Sequence, residues 1–597
     1  MAGAGDPAAG PREQRTTLLH SRMARLAAST MLALSYELLT GAPVVQAQGP
    51  ATGGARLGPE ETRPELPGFA PERPPEFELP PVPRPSPERE RRPSTGVEVL
   101  VRAFHLSGNT VISDQELAAI TAPYTGRAIT TEELLELRDA LTQLYVARGY
   151  VNSGALIPDQ EVVEGVVEIQ IVEGTLGDIA VTGLKTLKPS FVEDRIRLGA
   201  GPPLNVNDLR ERIQLLLNDP AIDRINARLG PGRQLGEADL EIDAEEAPPY
   251  RTDLRISNDR PPSIGAEGAE MIVTFGNLFG RSDPLRLGIE GSSGLIDATV
   301  DYSVPVTAND LRLFVAGEAS ESQVVEEPFN DIDVESDFVS IEAGASMPLW
   351  RTLDEELVFG ASLEWERSTT YLLGRRFSFS PGVQNGRSKV AALRLAQQWQ
   401  RRGIDQVIAV RSTGSIGLPI LGATENSGNL PDGRFFAWLG QAQYARRLNE
   451  ADWQLALRGD LQLTPDALLP IEQIAIGGLD TVRGYRTNQV VTDNGWVASA
   501  ELRVPIGQLQ IPHLSPGIDD GLVEIVPFVD AGAGWNNDLP DPDPNALYSI
   551  GAGLHWQLNE RLSARVDYGY PFVNVDDPDD HDIQDFGLYF EIRAALY

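Results

Sequence analysis

Two small α+β units followed by a sixteen-stranded antiparallel transmembrane β-barrel is the fold class this sequence predicts. Three observations predict it. Between residues 97 and 248, strands alternate with capped amphipathic helices in an order that occurs twice. From residue 249 onward the helical period vanishes and segments of strict apolar–polar alternation take over. Past residue 50 no apolar run approaches the roughly 18 residues of a spanning helix, so any crossing of a bilayer must be made with strands.

The chain has 597 residues, enough for several domains. It has no cysteine, which excludes a disulfide framework, thiolate metal sites and cysteine nucleophiles together. The net charge of −36 argues against nucleic acid as a partner, because phosphate binding needs a basic footprint.

Residues 1–47 read as a signal peptide. Arg22 and Arg25 precede an apolar stretch from Leu26 to Leu34, and Val45-Gln46-Ala47 offers a small-residue cleavage site. Glu37 interrupts the pattern, and Met23 is an alternative start. An amphipathic first helix is the competing reading, but it leaves the breakers that follow unexplained. Residues 48–96 carry Pro74-Pro75 and Pro80-Pro81-Val82-Pro83 and read as a stiff, extended tether.

The first α+β unit spans 97–174. Alternation through Val99, Val101, Ala103 and His105 predicts one strand, closed by Ser107-Gly108-Asn109. Ser113 with Glu116, and Thr130 with Glu133, are capping-box patterns. The second opens a helix with Leu134, Leu137, Leu141, Leu144 and Tyr145 on one face, ended by Gly149. Strands follow near 151–157 and 166–172. The second unit, 175–248, repeats the order: a strand through Ile179 and Val181, a helix opened by Pro189, a helix capped by Asn205, then strands near 222–229 and 239–244. A period of about 75 residues makes this an internal repeat, with a single α+β domain of coincidental symmetry as the alternative.

In residues 249–597, alternation alone cannot separate a soluble sandwich from a membrane barrel. Four further signs favour the barrel. The segments run near the roughly 9–11 residues a tilted strand needs to cross a bilayer. Tyr and Trp sit near segment ends, as at Trp453, Trp496 and Tyr548. The segment count is even, about sixteen. Short connections alternate with long ones, the stretch Gly507–Gly521 excepted.

Catalysis finds no support, and no cofactor or metal is read. His20, His105, His513, His555 and His581 are scattered without ligand spacing, and no nucleophile elbow or phosphate loop is present. The acidic run Asp576-Asp577-Pro578-Asp579-Asp580 suits plain solvation, with a calcium site as the alternative.

The connection before the twelfth barrel segment contains Gly477-Gly478-Leu479-Asp480-Thr481-Val482-Arg483-Gly484-Tyr485-Arg486. Read by itself it is a glycine-punctuated loop whose arginine would be solvated. The string resembles the V-R-G-Y motif of the Omp85 superfamily, in its two-partner secretion branch, the TpsB transporters (ShlB/FhaC/HecB-type hemolysin secretion/activation proteins). The resemblance implies that the twin units are POTRA domains and that this sixth extracellular loop folds back into the lumen. It implies that Arg483, within Val482, Arg483, Gly484 and Tyr485, pairs with Asp530. Asp530 belongs to an inner-wall F-x-D-x-G motif, here Phe528, Asp530 and Gly532. Asp530 falls in the phase of Glu524, the polar side of its strand, and an arginine fork matches a carboxylate. Gly108-Asn109-Thr110 and Gly149-Tyr150 also fit the family's first POTRA domain. The proline-rich tether departs from members that carry an N-terminal plug helix, and Tyr597 matches only in part the terminal signal read by the barrel assembly machinery.

The resemblance implies a Gram-negative outer-membrane protein with periplasmic POTRA domains, embedded in lipid. It would recognise a large β-helical exoprotein (TpsA-like) and translocate it without ATP. Arg286, Glu290, Asp301, Glu501 and Arg503 would line the path. Two rivals stay open: an Omp85 insertase of membrane proteins, and a passive porin-like barrel.

Overall fold

A computed structural model describes residues 63–70, 98–518, 520–575 and 582–596. The signal-peptide reading, most of the tether, the acidic run with its calcium alternative, His20, His581 and Tyr597 lie outside the described residues.

The first unit comprises β1 (Glu98–Val101), β2 (Ala103–Ser107), α1 (Asp114–Thr121), β3 (Arg127–Thr130), α2 (Thr131–Ala147), β4 (Gly154–Leu156) and β5 (Val166–Val172). The single strand expected through residues 98–107 is two strands, in different sheets. The amides of Arg102 and Ala103 both donate to the Gly165 carbonyl, which turns the chain between them. The second unit comprises β6 (Thr175–Thr182), α3 (Pro189–Arg197), α4 (Val206–Leu217), β7 (Ile222–Pro231) and β8 (Glu237–Glu246). In the three-stranded sheet of each unit the first strand runs parallel to the last, and the strand between them in sequence pairs antiparallel on the far side. Each unit closes over its own apolar core. Leu137, Leu141 and Tyr145 meet Val167 and Ile169 in one, and Val192, Ile196, Leu209 and Ile213 meet Leu240 and Ile242 in the other.

The units share a second device. After the first strand of that sheet, Gly108 and Gly183 hold positive φ (90° and 87°) and lie under the carbonyls of Ile171 and Ala244, leaving no room for a Cβ. Two residues on from each carbonyl stands a glutamate that gathers the freed amides. Glu173 accepts from the amides of Thr110 and Val111 and from the Thr110 hydroxyl. Glu246 accepts from the amides of Lys185, Thr186 and Leu187 and from the Thr186 hydroxyl. Burial raises the pKa of both carboxyls, but these donors outweigh it and hold each below the ordinary glutamate value.

Sixteen antiparallel strands, from Tyr250–Ser257 to Leu588–Leu596, form a closed barrel in which the first strand pairs with the last. Large apolar side chains such as Ile289, Ile296, Val529, Ile550, Val566 and Ile592 are exposed on its outside. Their chain neighbours Glu290, Asp530, Asp567 and Glu591 are buried within. The greasy face therefore points outward, as a membrane barrel requires and a sandwich forbids.

The strands run from 8 to 18 residues, many of them beyond the expected crossing length. The two longest, Val334–Arg351 and Glu355–Leu372, stay paired up to Val334 and Leu372 on the side of the long loops, more residues than the roughly 9–11 a crossing needs. The second α+β unit sits against the opposite rim: the Lys188 amide donates to the Gly280 carbonyl, and Arg195 ion-pairs with Asp310. The short turns therefore share a side with this unit, the periplasmic side that the resemblance implies for it. The connection between Gln508 and Leu522 is long on this same side.

Residues 63–70, expected from the sequence to be part of a tether, run inside the barrel. Arg63 pairs with Asp460 on the inner wall, Gln443 donates to the Pro64 carbonyl, and the Ala70 amide donates to the Gly403 carbonyl at the periplasmic rim.

Candidate functional site

Residues 464–493 leave the eleventh barrel strand, fold back into the lumen and return to the twelfth. Gly477 and Gly478 take φ of 118° and 101°, open only to glycine, and start a turn in which the Gly478 amide donates to the Val482 carbonyl. The short strands Ile474–Ile476 and Val490–Thr492 pair to close the loop's neck. Ile474, Ile476, Val482, Tyr485 and Val490 pack with Val497 and Leu547 of the wall, so loop and wall share a small apolar core.

Arg483 stands at the tip, 2% exposed. Its Nε and Nη2 donate to the two oxygens of Asp530 at 2.7 and 2.9 Å, and its backbone amide donates to the same carboxylate at 3.2 Å. Ser499 donates to Asp530 at 2.6 Å, which completes the carboxylate's partners. Nη1 faces Glu501 at 2.8 Å and Asp567 at 3.5 Å. The Phe528 ring lies 3.4 Å beneath the guanidinium carbon, a stacking contact suited to a planar cation. A Cβ on Gly532 would come within 2.8 Å of Ile476 and 3.1 Å of Val482. Every position of the wall motif is thus accounted for physically, because Phe528 stacks, Asp530 pairs and Gly532 makes room for the loop. Because side chains two apart along a strand share a face, all three reach the lumen together.

Gly484 (φ 96°) lies against the Gly569 backbone, and the Tyr485 hydroxyl donates to the Tyr548 carbonyl at 2.7 Å while accepting from the Val573 amide. A buried arginine held by a fork of charge-assisted bonds is costly to strip of its partners, about 3–5 kcal/mol when one partner is removed from a buried pair. The same bonds can be exchanged for water or for another chain, while the smaller apolar contact of the loop with Val497 and Leu547 opens as it leaves. That combination suits a latch.

Several anchors lay beyond the sequence reading. Arg394 on the wall grips Glu472 of the loop through two bonds of 2.9 and 2.7 Å, and also binds Glu364 at 2.8 Å. Arg486 pairs with Asp585 and Glu326 of neighbouring loops. Tyr589, on the last strand, bonds the loop backbone. Of the five charged residues expected along the path, Glu501 and Arg503 belong to the Arg483 cluster, and Glu290 is held by Arg260. Asp301 lines an open cavity of about 600 Å³ beside Asp297, Glu318, Glu342 and Arg411, and Arg286 is its ladder partner. His555 points inward onto Asp567. Among the described residues, no group of three or more histidine or acidic side chains could hold a metal ion.

Comparison with known proteins matches the arrangement. The sequence profile of the haemolysin secretion/activation proteins ShlB/FhaC/HecB covers residues 236–556, and that of the ShlB-type POTRA domain covers 99–174. The outer membrane transporter CdiB of Escherichia coli is 25% identical over 82% of this chain and 82% of its own. The heme/hemopexin transporter protein HuxB of Haemophilus influenzae is 23% identical over 82% and 85%. The solved structure of CdiB from Escherichia coli superposes with a TM-score of 0.62 at 22% identity, covering 86% of this chain and 92% of that one. CdiB from Acinetobacter baumannii gives 0.58 at 16%, covering 97% and 99%. With two periplasmic POTRA-type units before a sixteen-stranded outer-membrane barrel whose lumen is crossed by a V-R-G-Y loop, the chain belongs to the ShlB/FhaC/HecB family of haemolysin secretion/activation proteins.

Proposed function

We propose that this chain carries a large exoprotein of β-helical adhesin or haemolysin type across the outer membrane, through its own lumen and without ATP. The observation that carries this reading is the loop latched across the lumen by Arg483 and Asp530, beside a cavity lined with charge. A passive pore has no use for a loop so anchored. The POTRA units capture the unfolded exoprotein in the periplasm at free strand edges, where backbone pairing is sequence-tolerant. Among the described residues, both outer strands of each three-stranded sheet, such as Ala103–Ser107 and Ile222–Pro231, leave one side unpaired. Release of the Arg483 latch lets the loop shift and the chain pass along the wall that includes Asp301. Folding outside the cell then draws the chain through. Lipid surrounds the barrel, and the barrel assembly machinery inserts it.

The test is Arg483→Ala, with the neighbouring gene's exoprotein as cargo. Barrel assembly, read as a heat-modifiable band in electrophoresis, should remain, and cargo in the medium should disappear. Wild-type secretion from this variant would overturn the loop's role.

A further inference from the structure

The barrel closes where its first strand, Tyr250–Ser257, meets its last, Leu588–Leu596. Among the described residues this ladder has six paired positions, fewer than any other full-length pair of the barrel, the longest having seventeen. Beyond its end one more backbone bond runs, from the Asn258 amide to the Phe590 carbonyl at 3.3 Å, and side chains then take over. The Asn258 amide group stands in for a further peptide: its Nδ2 donates to the Leu588 carbonyl at 3.0 Å and its Oδ1 accepts from the Phe590 amide at 2.7 Å. Gln584 then donates across the closure to the carbonyl of Arg260 at 2.7 Å and also to that of Asn258. Both amide side chains are 0% exposed. A buried primary amide with its bonds satisfied is costly to unpair, so these two positions hold the strands as the regular ladder does.

The lumenal loop bonds to the same closure from inside, and to both sides of it. On the side of the last strand, the Tyr589 hydroxyl donates to the Tyr485 carbonyl and accepts from the Gly484 amide. The Thr487 amide donates to Gln584 Oε1 at 2.9 Å, and Arg486 pairs with Asp585. On the side of the first strand, the Thr487 hydroxyl donates to the Asp259 carbonyl at 2.9 Å.

We infer that Asn258 and Gln584 lock the barrel's closing seam, that the tip of the lumenal loop (Gly484–Thr487) staples this seam from inside, and that the seam stays shut while cargo passes. Gln584 is the shared part: one end of its amide holds the first strand's exit and the other holds the loop. Loop displacement therefore removes support from the seam, and the bonds of Asn258 to the last strand, which do not involve the loop, remain to keep it closed. The last clause rests on the export reading. The staple does not.

The chain contains no cysteine, so engineered pairs are clean reporters. Leu254 and Ala594 face each other in the closing ladder, at a spacing a disulfide can bridge. In the detergent-solubilised full chain, Asn258→Ala and Gln584→Ala should each lower by several degrees the temperature at which the barrel unfolds in electrophoresis. Oxidised Leu254→Cys/Ala594→Cys placed in the same variants should restore it. An unshifted temperature, or a shift the seam disulfide fails to restore, overturns the lock. Gln584→Glu removes the donor and keeps the size, so it covers the case in which an alanine variant does not assemble. In cells, the oxidised cysteine pair in the otherwise wild-type chain should export cargo as well as its reduced form. Export only after reduction overturns the closed seam. Export in neither form counts against the export reading, and the temperature shifts still decide the lock.

Discussion

The periplasmic units and the barrel lumen solve the problem of holding a buried interior in opposite ways. Each unit is closed by aliphatic packing, with Leu137 and Leu141 or Ile196 and Ile213 fully buried, and its charges serve as local caps. The lumen is crossed by a loop that adds to a smaller apolar contact the grip of Arg483 on Asp530, Arg394 on Glu472 and Arg486 on Asp585. Aliphatic packing is lost only by opening the core, whereas a charged contact can be replaced by another polar group. The difference makes one region suited to staying rigid and the other to rearranging.

This contrast can be broken most severely at Arg394. Arg394→Met strands Glu472 in a buried place and should cost about 3–5 kcal/mol, seen as a large fall in the barrel's unfolding temperature. The double variant Arg394→Met, Glu472→Met should recover only the share due to Glu472, because Glu364 and Glu366 still lose their arginine. No such recovery is expected in the POTRA core. Leu141→Ala should cost about 2–5 kcal/mol and remove helix signal at lower urea while the barrel band is retained. Circular dichroism separates the two regions, since every α-helix of the described residues lies in the POTRA units.

A smaller loss is expected from the helix cap. Thr130 accepts from the Glu133 amide while Glu133 accepts from the Thr130 amide, and Thr130→Ala should cost about 0.5–2 kcal/mol by the same helix signal. The gentlest test is pH. Glu173 and Glu246 bind protons less readily folded than unfolded, so their contribution is complete above the ordinary glutamate value of 4.5. It fades as pH falls through their lower folded values. Urea midpoints of the helix signal should therefore drop between about pH 5 and pH 3 by less in the Glu246→Gln variant than in the wild type.

Much of this architecture is legible in the chain alone. Helix starts announce themselves within four residues, as Thr130 and Glu133 do, and strand faces follow from alternation. The greasy side of the barrel is readable because its polar partners carry charge. What the sequence hides is contact at long separation. Nothing near Glu246 says that it will gather amides 59–61 residues away, and nothing near Glu472 points to Arg394, 78 residues off. The Arg483 contact with Asp530 is suggested only by a resemblance, since by local reading the arginine belongs in water. The tether's residues 63–70 look like spacer because prolines forbid regular structure. Prolines say nothing about whether an extended segment runs in solvent or, as Arg63 does, against an inner wall. Alternation also runs unbroken across Arg102, so one strand is expected where the Gly165 carbonyl makes two.

On the proposed export route, the latched loop must leave the wall for cargo to pass. Val482 of the loop and Val497 of the wall pack in one buried apolar cluster. In the cysteine-free chain, Val482→Cys with Val497→Cys would tie loop to wall on oxidation without adding bulk at Gly532. Secretion should stop in the oxidised state and return on reduction, with the barrel assembled throughout. Undiminished secretion by the tied protein would contradict the account.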